Sequence, residues 1–233
     1  MTMQEIRAWC VHLFTMSGAV CGFMALTNIV QNDPKDAIWW LILALVIDGV
    51  DGTLARKFEV TEHLPNVDGV TIDNIVDYMT YVIVPAFYVW WIVKLPDGWS
   101  IPAAAAILMT SQYHFSDLRH KTHDNYFRGF PALWNLVVFG FYIFDPQPWT
   151  AVLFIAGFAI ATFIPFKFVH PFRVEQLRRT NLAVSALGSI ALIVAVWTSP
   201  APMMAAKVVL VAAMAWFFLI GVGRTWEDRA SKP

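Results

Sequence analysis

Four of the five aspartates within the 30 residues DGVDGTLARKFEVTEHLPNVDGVTIDNIVD, residues 48–77, fall in two close pairs. Asp48 and Asp51 are three apart, and Asp73 and Asp77 are four apart. On helices each pair shares a face. Each aspartate lies at or inside the end of an otherwise apolar stretch. Ionised side chains at such a depth are costly and mark function. Four carboxylates brought together repel one another unless cations neutralise them. Oxygen-only ligands favour a hard cation, Mg²⁺ or Mn²⁺. The physical reading is a carboxylate cage for metal ions, built between two helices.

Those helices belong to a membrane. The 233 residues are 58% hydrophobic and 14% charged, and mean hydropathy is +0.56. Repeated apolar runs of roughly 17–25 residues predict an all-α polytopic membrane protein. Eight spans are expected, near 9–30, 37–56, 70–94, 101–117, 130–145, 149–168, 181–199 and 203–223. Residues 1–8 read as a polar interfacial lead-in. Pro and Asp punctuate the connections NDPKD, LPDGWS, DPQP and SPAP. No repeat or low-complexity segment divides the chain, so residues 1–233 read as one domain. The N-terminus shows no cleavable signal pattern. Net charge is −1, which gives no hint of nucleic-acid binding. Cys10 and Cys21 would stand roughly 16 Å apart on one helix, too far for a disulfide. They read as packing residues.

Charge asymmetry sets the expected orientation. Thirteen Lys and Arg residues, from Arg7 to Lys232, fall on one side, and Lys35, Lys94 and Lys207 fall on the other. Both termini are therefore expected in the cytoplasm, with the aspartates at the cytoplasmic ends of spans two and three. Trp39, Trp40, Trp90, Trp91, Trp99 and Trp149 then form an aromatic belt at the outer interface. Asp77 lies fourteen residues before Trp91, or roughly 21 Å at helical rise. It sits below the cytoplasmic interface but short of the midplane. There it can meet a lipid head group from the side and a soluble molecule from the cytoplasm.

The pattern D-x-x-D-G-x-x-A-R, a spacer, then G-x-x-x-D-x-x-x-D resembles the signature of the CDP-alcohol phosphatidyltransferase family. Asp48, Asp51, Gly52, Ala55, Arg56, Gly69, Asp73 and Asp77 fill all eight positions. Twelve residues separate Arg56 from Gly69, a longer spacer than most members have. With DNIVDYMTYVIVPAF and DNYFRGFPALWN, that spacer resembles the bacterial branch whose acceptor is choline. The resemblance implies a CDP-linked lipid substrate and two metal ions on Asp48, Asp51, Asp73 and Asp77. It implies Asp77 as the base. CDP-diacylglycerol and choline are the implied partners, and family members are often dimers.

Other residues carry readings of their own. Gly in a helix costs about 1 kcal/mol against Ala, so Gly52 needs a reason: close approach of a ligand, or tight helix packing. Beside four aspartates the ligand reading is preferred, and Ala55 would keep the same surface open. Arg56 is the obvious phosphate partner, or else an ordinary cytoplasmic anchor. Thr61 is a further candidate for the diphosphate. HLFTMSGAVCGFMAL resembles the first helix of phosphatidylserine synthases, with His12 in place of Asn. Thr15 and Ser17 are candidates to line the nucleotide side, against a packing role, and His12 also reads as a capping or interfacial residue. No Ser, Cys or His is placed as a nucleophile, so attack would be direct.

The stretch 112–131, QYHFSDLRHKTHDNYFRGFP, is dense in polar and aromatic groups. His114, His120, His123, Asp117 and Asp124 have no spacing familiar from zinc sites. Arg119, Arg128 and Lys167 are candidates for a lipid phosphate, weighed against anchoring. A trimethylammonium is held by aromatic faces and nearby carboxylates. Tyr78, Tyr113, Phe115, Tyr126, Phe127 and Trp134 are candidates for such a cage, weighed against packing. The leading expectation is an inner-membrane transferase acting on the cytoplasmic face. The alternatives are a sister enzyme using serine, inositol or glycerol phosphate, and a transporter relaying ions or protons through its aspartates.

Overall fold

The structure, a computed structural model, describes residues 1–119, 122, 124, 126–169, 171 and 174–230, without the side chains of 229 and 230. His120, Lys121, His123, Arg173 and Lys232, all weighed above, lie outside the described residues. The chain divides into two compact units, Met1–Val93 and Lys94–Pro233.

Helix α1 spans Met3–Val30. It runs through the expected lead-in because a capping box starts it there. Thr2 Oγ1 accepts from the Glu5 amide at 3.2 Å, and the Glu5 carboxylate accepts from the Thr2 amide at 2.9 Å. Two first-turn donors are thereby satisfied. Helix α2, Pro34–Lys57, starts with Pro after Asp33, whose carboxylate caps the Asp36 amide. It continues unbroken through Asp48, Gly49, Asp51 and Gly52.

The long spacer has structure of its own. Glu59 takes a positive φ of 48°, and a single helical turn follows, α3, Val60–His63. Val60 buries itself against Ala8 and Val11 of α1, with Leu54, Ala55, Phe58 and Leu64 packed around them. The spacer is thus folded back onto the first helix by its apolar residues.

Asp68 then caps α4, Gly69–Asp77, accepting from the Val70 and Thr71 amides and from the Thr71 hydroxyl at 2.6 Å. The Thr71 hydroxyl and amide hold the Asp68 carboxyl below its ordinary value. The helix passes into a π-helical turn, Tyr78–Ile83, and then into α5, Val84–Trp91, with helical dihedrals at both junctions. Pro85 accounts for the change of winding. It donates no hydrogen bond, and in a regular α-helix its ring would strike the carbonyl four residues back, that of Tyr81. A wider turn relieves this, and such turns occur often at functional sites.

Helices α1, α2 and the Gly69–Trp91 rod pack together within the first unit. Gly18 and Gly22 of α1 are four apart and form a small-residue groove. A Cβ on Gly18 would meet Val76 Cγ1 at 2.7 Å, and one on Gly22 would meet the Met79 side chain at 3.2–3.3 Å. His12 lies against Gly69, and Trp91 Nε1 donates to Asn32 Oδ1 at 3.3 Å. Contacts therefore rise together in both sequences, so α1 and the rod run parallel. Cys21 is buried in this unit with Ala44 and Ile47, as a packing residue; Cys10 is exposed.

The second unit holds α6, Ser100–Ser116; α7, Trp134–Phe144; α8, Pro148–Ala161; α9, Arg178–Trp197; and α10, Met204–Ala230. A two-stranded antiparallel sheet joins β1, Tyr126–Arg128, to β2, Lys167–Val169, with Phe127 opposite Phe168. The span expected to 168 therefore ends early: α8 stops at Ala161 and the chain turns into β2. Gly129, at φ +79°, lies against the Thr162 backbone carbonyl, where no Cβ fits. Trp216 Nε1 donates to the fully buried Asn181 at 3.1 Å, tying α10 to α9.

Helices occupy all eight expected stretches. Among the described residues α1, α2, α9 and α10 are long and apolar enough to cross a membrane by themselves. Their apolar sequences remain largely exposed, down to 17% burial in α10, as a lipid-facing surface requires. The protein is an all-α integral membrane protein with one small sheet.

Gly18→Ala should force α1 away from α4, because the β-branched Val76 has little freedom to move. The expected cost is roughly 1–3 kcal/mol, read as a lower melting temperature in detergent. Gly49→Ala, where nothing lies within 4 Å of a Cβ, is the control and should leave melting unchanged.

Candidate metal centre

Three of the four aspartates converge. Asp48 from α2 and Asp73 and Asp77 from α4 each offer one carboxylate oxygen within 4.8 Å of the others. The four-residue spacing of Asp73 and Asp77 puts both on the face of α4 that meets α2. Among the described residues this is the one group of three or more His, Cys, Asp or Glu able to hold an ion. Asp77 Oδ1 is buried and accepts no hydrogen bond. A buried carboxylate oxygen without a donor is costly. A hard cation would satisfy it and offset the charge of its neighbours. The residues present therefore fit a divalent ion with oxygen ligands.

Asp51 stands apart from the trio. It is buried at 6% exposure and faces Thr15 of α1, near enough to Asp48 and Asp77 for their charges to interact. Thr15 also donates to the Val11 carbonyl at 3.3 Å. Gly52, one residue on, has only Arg56 Nη1 near the place of a Cβ, at 3.5 Å. No neighbouring helix needs a glycine there, so helix packing does not explain it. Arg56 is exposed and folds along its own helix, donating to Thr53 Oγ1 at 3.2 Å. Ala55 packs against the Ala8–Val11–Val60 cluster, and Thr61 is exposed on α3. His12 is 3% exposed, and its Nε2 has no partner.

One residue at the centre escaped the sequence reading. Tyr81, 7% exposed, donates from its hydroxyl to Asp48 Oδ2 at 2.6 Å. The signal was present: Gly69, Asp73, Asp77 and Tyr81 follow one another at intervals of four.

The candidates in the second unit are held by partners of their own. Lys167 Nζ donates to Asp124 Oδ2 at 2.8 Å, pairs with Asp228, and lies 5.4 Å from the centre of the Tyr126 ring. Arg224 Nε donates to the same Asp124 oxygen at 3.0 Å and Nη1 to Glu227 at 3.0 Å. Tyr126 is 1% exposed, with one ring face already given to an internal cation. Trp134, equally buried, donates from Nε1 to Ser111 Oγ at 2.9 Å and packs on Phe130 and Phe158. Phe127 lies near His114, with ring centres 6.4 Å apart. Tyr113 is exposed beside Phe163, and Tyr78 is half-buried next to Asp77. Arg119 donates twice to Asp117, at 2.9 and 3.1 Å, and Arg128 is exposed on β1.

These features define a class: an all-α membrane protein with clustered carboxylates able to hold a cation, near an open glycine and an arginine. A profile of the CDP-alcohol phosphatidyltransferase family matches residues 10–165, and the chain belongs to that family. It is a transferase of phospholipid biosynthesis. It is 43% identical over 183 residues to the phosphatidylcholine synthase of Pseudomonas aeruginosa, covering 78% of this chain and 77% of the relative. The phosphatidylcholine synthase of Rhizobium meliloti is 41% identical over 200 residues, 84% of this chain and 83% of its own. That of Borreliella burgdorferi is 34% identical over 226 residues, 96% of this chain and 97% of its own.

Partial burial raises the Asp124 carboxyl, but hydrogen bonds from Lys167, Thr122 and Arg224 outweigh it and hold the group far below the usual carboxylate range. A depressed carboxylate contributes stability above its unfolded value, about 4, and loses it as pH falls toward the folded value. Asp124→Asn should therefore lower stability at pH 7 by roughly 1–3 kcal/mol. The gap between variant and parent should narrow below pH 4. Melting curves in detergent across pH 3–8 measure this.

Proposed function

We propose that the protein transfers the phosphatidyl group of CDP-diacylglycerol to choline, giving phosphatidylcholine and CMP. The likeness to phosphatidylcholine synthases over most of the chain carries the acceptor assignment. The converging carboxylates support the chemistry. Membership of a transferase family displaces the transporter reading.

The site would hold two divalent ions, Mg²⁺ or Mn²⁺, through Asp48, Asp51, Asp73 and Asp77. When bound, such ions offset charge on the transferring phosphoryl group and on departing CMP. Gly52 leaves room for a ligand to approach the α2 backbone. Arg56, fixed beside it by Thr53, is placed to fork onto a phosphate. Thr15 adjoins Asp51 and would bound the nucleotide side, with Ala55 and Thr61 beyond. Asp77 accepts the choline hydroxyl proton as the new P–O bond forms. Attack is direct, without a covalent enzyme intermediate.

The cationic head of choline would be held by aromatic faces close to carboxylates. Tyr78, adjacent to Asp77, is the first candidate; Tyr113, Tyr126, Phe127 and Trp134 are lower-ranked candidates. Tyr126 and Trp134 already serve Lys167 and Ser111. Arg119, Arg128 and Lys167 are the candidates for the lipid phosphate. The carboxylates that pair Lys167 and Arg119 leave Arg128 the best placed of the three. An exposed Arg128 would also suit an anionic acceptor, so a sister enzyme using serine, inositol or glycerol phosphate is the second reading.

The Lys and Arg asymmetry supports eight spans with both termini cytoplasmic and the metal centre opening to the cytoplasm of the inner membrane. Residues 1–233 would work as one domain, and a homodimer is the assembly that suits the family.

Purified protein given CDP-diacylglycerol, labelled choline and Mn²⁺ should form labelled phosphatidylcholine, and excess chelator should stop it. Turnover with serine in place of choline would move the protein to the second reading. Asp77→Asn should lower the rate at least 10²-fold without loss of folded protein; retained activity refutes the base assignment.

A further inference from the structure

Tyr81 reaches the carboxylate cluster without being acidic or part of the aspartate pattern. It stands on the same helical rod as Asp73 and Asp77, one turn beyond Asp77. Its hydroxyl crosses to the other helix and donates to Asp48 Oδ2 at 2.6 Å, the length of a charge-assisted O–H···O⁻ bond. The phenol is 7% exposed and its bond to Asp48 is partly buried, so water competes with it less than at the surface. Low dielectric strengthens such a bond.

Asp48 is the sole ligand of the trio supplied by α2. Asp73 and Asp77 are fixed relative to one another by their common helix. Asp48 depends on its own side-chain torsions to face them, and a carboxylate rotates readily about its last bond. A donor holding one oxygen sets the direction of the other. Outer partners of this kind fix the orientation of metal ligands, and their loss typically weakens metal binding 10–100-fold.

We infer that Tyr81 is a positioning residue for the metal centre, locking the Asp48 carboxylate toward Asp73 and Asp77 so that the site is set before an ion arrives. The inference rests on the reading of the aspartates as metal ligands. Its location in the π-helical turn supports it independently. Pro85 removes the hydrogen bond that the Tyr81 carbonyl would take in a regular helix, and the wider turn that results, Tyr78–Ile83, includes Tyr81. The proline thereby shapes the backbone that carries the phenol.

The test is Tyr81→Phe, which keeps the ring and its packing and removes only the hydroxyl. Mn²⁺ binding to detergent-solubilised protein, stripped with chelator, is followed by electron paramagnetic resonance of the free ion. Melting in chelator is recorded alongside. The parent should bind Mn²⁺, and the variant should bind at least tenfold more weakly while melting within a few degrees of the parent. In the phosphatidyl-transfer assay the Mn²⁺ concentration for half-maximal rate should rise by the same factor. The maximal rate should return in excess Mn²⁺. Equal Mn²⁺ affinity for parent and variant overturns the inference and leaves the metal centre standing. So does a fall in maximal rate that excess Mn²⁺ does not restore. Absence of Mn²⁺ binding in the parent overturns the metal reading and the inference together. Should Tyr81→Phe not fold, Pro85→Ala provides the second arm: it should weaken Mn²⁺ binding by disturbing the turn, and unchanged affinity with a changed turn counts against the role.

Discussion

Repulsion among carboxylates in a poorly solvated place is the constraint around which the first unit is built. Asp48, Asp73 and Asp77 approach within 4.8 Å, and at that distance charge is expensive wherever water is scarce. The surrounding fold has to supply the restoring force. It does so with apolar contacts on either side of the cluster along α1. On one side Ala8 and Val11 hold Val60; on the other Cys21 packs on Ala44 and Ile47. Gly18 and Gly22 bring the rod carrying two of the aspartates close to α1. A metalloprotein accepts such a cost because the ion returns it on binding.

Much of this was legible in the sequence because carboxylates in apolar surroundings have few explanations. The four-residue spacing of Asp73 and Asp77 put both on one face, and α4 carries them to Asp48; Asp51, three residues after Asp48, faces Thr15 instead. The role of the long spacer was not legible. Its folding onto α1 depends on Val60 meeting Ala8 and Val11, a contact fifty residues distant that no local pattern announces. Tyr81 was hidden for a related reason: its hydroxyl matters only once another helix presents Asp48. The start of α1 was missed although Thr2 and Glu5 stood at capping-box spacing, because polarity was read as interface before capping was considered.

In the second unit the sequence suggested ligands where the structure finds partners. Lys167, Tyr126 and Trp134 are residue types that bind phosphate or quaternary ammonium, yet each is engaged inside the protein. Residue type alone does not separate a group that awaits a ligand from one already satisfied; burial and hydrogen-bond partners do. The contrast within this chain is instructive. Asp77 Oδ1 and His12 Nε2 are buried and lack partners, whereas Lys167 is half-buried and pairs with two carboxylates.

The bonds around Lys167 also impose an order of assembly. Strands β1 and β2 bring Asp124 and Lys167 together, but Arg224, Thr225 and Asp228, which complete the arrangement, belong to α10. A chain emerging from the ribosome presents residue 124 long before residue 224. During that interval Lys167 has one of its two carboxylates, and its backbone amide lacks the Thr225 hydroxyl. The sheet is then a pair of short strands of the kind that is marginal by itself. The last helix is therefore a closing piece, and the second unit reaches its final geometry only after α10 has been made and has docked.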